Sequence, residues 1–118
     1  MDIHKLFNEA NDLFISKKYE KSIELYEKII GSGQENSTVF YNLGNAYYRS
    51  GDIGHAIWAY KHANKFSPRD KDIIHNLKIA EAKKIDRINS PPLFILHDFY
   101  RKIKSSITMF ELILVGGI

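Results

Sequence analysis

Shifted by 34 residues, the sequence lies on itself without a gap. Leu6 falls on Phe40, Phe7 on Tyr41, Asn8 on Asn42 and Ala10 on Gly44. Asn11 falls on Asn45, Leu13 on Tyr47, Ser22 on Ala56, Ile23 on Ile57 and Tyr26 on Tyr60. A second shift carries Tyr41 to His75, Asn42 to Asn76, Leu43 to Leu77 and Ala46 to Ala80. A period of this length is the span of two helices and their turns. Such a unit cannot bury its apolar face alone and does so by stacking on its neighbours. The expected fold class is therefore all-α. Two units occupy 3–36 and 37–70, and a third, partial one covers 71–86.

The spacing of small and aromatic residues explains how two helices of one unit approach. Gly44, Ala56 and Ala63, with Ala10 and Ser22 in the first unit, are small where a second helix passes. A mid-helix glycine costs about 1 kcal/mol relative to alanine, so Gly44 is expected at a tight crossing, with Phe40, Tyr47 and Tyr60 packed around it. Turn chemistry punctuates the helices. Ser50-Gly51-Asp52 supplies a glycine for a left-handed C-cap and an aspartate for the next N-cap. Pro68 stops the fourth helix and Gly31-Ser32-Gly33 the second. Helices are expected at about 3–16, 19–31, 37–50, 53–66 and 70–86.

Phe40, Leu43-Gly44, Tyr47, Ala56, Tyr60 and Pro68 together resemble the tetratricopeptide repeat (TPR) pattern. The resemblance implies a right-handed solenoid of helical hairpins, residues 1–88, followed by a C-terminal helical tail, 89–118. It also implies a concave groove lined by the first helix of each unit. The groove positions are Phe7, Asn11, Phe14 and Ile15, then Tyr41, Asn45, Tyr48 and Arg49, then His75, Ile79 and Lys83. An inner position holds Asn8, Asn42 and Asn76. Asparagine can both donate to and accept from an extended backbone, and aromatic rings can hold side chains. The alternative is that Asn8, Asn42 and Asn76 are framework residues and that the aromatics only cover the groove floor. The candidate peptide-binding set is thus Phe7, Asn11, Phe14, Tyr41, Asn42, Asn45, Tyr48, Arg49, His75 and Asn76. TPR proteins that grip acidic chaperone tails use a clamp of cations and asparagines. The matching positions are Phe7, Asn11, Asn42, Asp72 and Asn76, so the cations are missing and Asp72 would repel a carboxylate. The expected ligand is a neutral or mixed segment, or a helix, held on the order of micromolar.

Other chemistry finds little support. The chain has no cysteine, hence no disulfide framework or thiolate site. His55 and His62 are seven residues apart, yet no acid lies one turn from both to complete a metal set. No phosphate loop or nucleophile motif is present. The expectation is a non-enzyme without cofactor or metal. Residues 1–82 carry eleven bases and eleven acids, and such a neutral repeat region does not suit nucleic acid.

The basic excess falls instead on 83–104, where Lys83, Lys84, Arg87, Arg101, Lys102 and Lys104 face only Asp86 and Asp98. Pro91-Pro92 interrupts this segment, and Ile107–Ile118 is nearly all apolar. Twelve residues are too few to cross a bilayer, which needs about 20. The expectation is that they begin a transmembrane helix continued beyond Ile118. The alternative is that 93–115 caps the last repeat or pairs with a second copy as a homodimer. Residues 72–77 (DIIHNL), 86–88 (DRI), the Pro-Pro break, the basic stretch and the apolar run follow one another. This order resembles the membrane-anchored TPR proteins of bacterial aerotolerance (Bat) operons. That resemblance implies a membrane-associated scaffold acting with other operon products.

Overall fold

The computed structural model describes residues 1–89, which form five α-helices and no strand. They are α1 (Ile3–Ile15), α2 (Tyr19–Gly31), α3 (Ser37–Ser50), α4 (Ile53–Phe66) and α5 (Lys71–Asn89). The chain divides into two compact units, Met1–Ile85 and Asp86–Ile118, three residues before the boundary expected at 88. Of the second unit only the end of α5 is described. Of the expected basic and apolar tail, 89–118, all but Asn89 lies outside the described residues.

Four of the five helices start where a short polar side chain accepts from the first free amides, and α2, which follows Lys18, has no side-chain cap. Asp2 accepts from the Lys5 amide, Asn36 from Val39 and Asp52 from His55. Asp70 accepts from both Asp72 and Ile73. The last helix runs to Asn89, beyond the expected 86, because nothing before Pro91 interrupts it.

The two hairpins α1–α2 and α3–α4 are antiparallel, since contacts step toward the turn from both sides. Phe7 meets Tyr26 (6.2 Å between ring centroids), Ser22 donates to the Ala10 carbonyl (2.8 Å), and Phe14 meets Tyr19 (5.4 Å). In the second hairpin Phe40 meets Phe66, Gly44 meets Tyr60, and Tyr47 meets His55. The turns repeat as well. Gly51 N–H donates to the Tyr48 carbonyl and Asp52 N–H to Tyr47, at 3.1 and 2.9 Å. Thirty-four residues earlier Lys17 donates to Phe14 and Lys18 to Leu13, at 2.9 and 2.8 Å. Gly51 takes φ +94° there without strain, whereas Lys17 is held at φ +62°.

The main core joins the helices through Ala10, Tyr26, Ile29, Leu43, Ala46, Ala56, Tyr60 and Ala80, all buried. Its tightest point is Gly44, where an added Cβ would lie 2.6 Å from two atoms of the buried Tyr60 ring. Phe40 does not help to wall this crossing, contrary to expectation. It lies one turn earlier on α3 and builds a separate cluster with Ala63 and Ile73.

Two stability changes follow. Gly44→Ala gains helix propensity, but the Tyr60 ring cannot move freely, so the variant should lose roughly 1–3 kcal/mol in urea unfolding. Lys17→Gly should gain roughly 0.5–1 kcal/mol in the same assay, because it removes a left-handed lysine from a turn that already has the right hydrogen bonds.

Candidate functional site

The expected groove residues lie on α1, α3 and α5, and five of them, Asn11, Tyr41, Asn42, Asn45 and Asn76, also hold the helices to one another. Tyr26 donates its phenol to Asn11 Oδ1, and Asn42 Nδ2 donates to the same oxygen at 3.2 Å. The arrangement recurs 34 residues on. Tyr60 donates to Asn45 Oδ1, and Asn76 Nδ2 donates to it at 3.1 Å. Each asparagine carbonyl thus ties its own hairpin to the following helix. Asn76 also donates to the Tyr41 hydroxyl at 3.0 Å. Phe7, the counterpart of Tyr41, has no hydroxyl and meets Tyr26 edge-on instead. Asn8, at the same place in the first unit, is exposed and makes no such bond among the described residues.

The phenols in these junctions are kept neutral by their surroundings. Burial raises the pKa of Tyr26. Burial, then the nearby Tyr41 and Tyr48, raises that of Tyr60. Tyr47, buried and donating to the Glu27 carboxylate, is raised by burial first and by Glu27 second.

What remains open is a pair of adjoining cavities that share Phe14 and Asn45. One, about 290 Å³, is bounded by Asn11, Phe14, Ile15, Tyr26, Asn42 and Asn45. The other, about 370 Å³, is bounded by Phe14, Asn45, Tyr48, Arg49, Asn76 and Ile79, over the Tyr60 ring. Ile15 is 76% exposed and Ile79 40%. Arg49 is exposed, and the Lys83 ammonium stands 5.0 Å from the centre of the Tyr48 ring. The two cavities thus have an apolar end at Phe14 and Ile15 and a cationic end at Arg49 and Lys83. Phe7 lies outside both and lines a further cavity with Ile3, His4 and Val39. Tyr41 and His75 also bound neither of the two adjoining cavities. Tyr41 packs on Tyr60 at 6.0 Å, and His75 is exposed on α5.

Among the described residues no group of three His, Cys, Asp or Glu side chains could hold a metal ion. Nor is any helix among them long and apolar enough to cross a membrane. Compared with known proteins, the chain matches no family model and no curated protein.

The neutral phenols set an alkaline limit. Their folded pKa values lie above the unfolded value of about 10, so the unfolded chain loses these protons first. The stability they contribute is intact below about pH 10 and falls as pH rises above it. Tyrosinate absorbance should therefore show Tyr26, Tyr47 and Tyr60 ionising together with loss of helical circular dichroism. Titration of all tyrosines with the helix signal unchanged would contradict the assignment.

Proposed function

We propose that the chain is a TPR-type right-handed solenoid, and a non-catalytic scaffold that holds a peptide or helix in the groove of α1, α3 and α5. The observation that carries this reading is the pair of adjoining cavities floored by Phe14, Asn45 and Tyr48. They leave Ile15 and Ile79 uncovered next to polar amides. The Oδ1 atoms of Asn11 and Asn45 are committed inside the array, so the amide groups of those side chains are what a ligand backbone would meet. Side-chain selection falls to Phe14, Ile15, Tyr48 and Ile79. The cationic end at Arg49 and Lys83 favours a mixed segment with an acid placed there.

Association with a membrane belongs to the same proposal. It is supported by the basic excess in 83–104 and the apolar run 107–118, and by the resemblance to the Bat-operon TPR proteins. Self-association is the second reading. It is favoured by Ile79 and Ile85, which stay 40% and 56% exposed on the last helix. Light scattering on 1–118 and 1–88 separates the two, since a dimer built by the tail is excluded if both are monomers.

The groove is tested by selecting binders from a random peptide library on the immobilised chain. Tyr48→Ala should weaken a selected peptide by about tenfold or more, the scale of one lost aromatic anchor. Its thermal midpoint should stay near that of the parent, because Tyr48 is only half-buried. Asn45→Ala is a poorer probe, since it also removes the Tyr60 and Asn76 bonds. Undiminished binding by both Tyr48→Ala and Ile15→Ser would sink the groove assignment.

A further inference from the structure

The outer face of α4 departs from the repeat. Its outward residues are Gly54, His55, Trp58, Lys61, His62, Lys65 and Phe66. At the same places on α2 stand Glu20, Lys21, Glu24, Glu27, Lys28, Gly31 and, just past its end, Ser32. The stack needs only a solvated face of mixed charge there, as α2 has. On α4 the three glutamates are replaced by a glycine, a tryptophan and a lysine, and no acid lies between Ile53 and Phe66.

The aromatic side chains on this face are held in place but left uncovered. Trp58 is 44% exposed and Phe66 50%. Phe40 backs them from beneath, with ring centroids 5.9 Å from each. His62 stacks on Phe40 at 5.1 Å, touches Trp58 at 4.5 Å, and donates from Nδ1 to the Trp58 carbonyl at 3.0 Å. Beside Trp58 opens a cavity of about 570 Å³ lined by Ile30, Leu43 and Tyr47. Glu27, which also lines this cavity, accepts from the Tyr47 hydroxyl, and Asp52 is paired with His55. Lys61 and Lys65 are exposed and make no ion pair among the described residues.

We propose that this face of α4 rests on an anionic lipid surface. Trp58 and Phe66 would enter the headgroup region while Lys61 and Lys65 meet lipid phosphates. Trp belongs at such an interface because its ring is amphipathic, and lysines flanking an apolar stripe on one helix add attraction to anionic lipid. A bilayer fits better than an acidic protein for two reasons. Both cations are lysines, which are point charges without the fork geometry that reads a particular carboxylate. The sequence further along, basic over 83–104 and apolar over 107–118, suits the same surface. The inference deepens the membrane reading above and is independent of the groove.

The chain has a single tryptophan, so Trp58 reports on its own face. The full chain is titrated with phosphatidylcholine vesicles with and without phosphatidylglycerol. With the anionic vesicles, Trp58 emission should shift to the blue, resist acrylamide, and be quenched by brominated lipid. Lys61→Glu/Lys65→Glu, at two exposed positions, should keep the helical signal and lower vesicle affinity by more than about tenfold, since each lysine near an anionic surface contributes about fivefold. Vesicle co-sedimentation with Trp58 emission and acrylamide access unchanged would overturn the proposal while leaving a membrane-bound tail intact. Failure to bind vesicles, or equal affinity for the neutral ones, would overturn it too. A Trp58 response to soluble polyglutamate but not to vesicles would overturn it in favour of an acidic protein.

Discussion

The array depends on an asparagine carbonyl that receives two donors at once. Asn11 takes the Tyr26 phenol from its own hairpin and the Asn42 amide from the next helix, and Asn45 does the same with Tyr60 and Asn76. A half-buried amide oxygen left without partners would cost more than the bonds return, so the three residues are useful only together. The junction fixes how far each helix stands from the next. It also places the Tyr60 ring over Gly44, and so decides why only glycine fits there. The hydrophobic core supplies the driving force, but these polar junctions set the register in which it closes.

The same junction divides labour within the groove. Residues that line it cannot all serve a ligand, because some are spent on holding the floor. Asn42 and Asn76 point donors at neighbouring helices, whereas Tyr48, Ile15 and Ile79 have no such duty. In the proposed groove, specificity would therefore rest with side chains that can be changed at little cost to the fold, and backbone contacts with amides that cannot. The cations Arg49 and Lys83 would give a ligand of that groove a direction.

Much of the architecture was legible in the sequence because the determinants are local or periodic. Four helices begin where the 34-residue register and the caps Asp2, Asn36, Asp52 and Asp70 place them, and Gly51 takes the positive φ its position demanded. Two features were not legible. A period gives the spacing of Asn11, Tyr26 and Asn42 but not the rotamers that join them, so structural and ligand roles stayed mixed. Trp58 and Phe66 have Glu24 and Ser32 as counterparts, so a search for recurrence passes over them. What differs between repeats is invisible to a method that looks for sameness, and it only gains meaning once the outward face of α4 is known.

The junction also gives the array a polarity. At the position of Asn11 and Asn45 the third unit carries Ile79. A further helix stacked after α5 would bring an asparagine amide to a methyl group and find no acceptor. Asn8, the counterpart of Asn42 and Asn76 in the first unit, is exposed and makes no such bond among the described residues. The bond thus runs in one direction along the units: Asn11 and Asn45 each offer a carbonyl to the unit that follows, and Ile79, at the same place in the third, offers none.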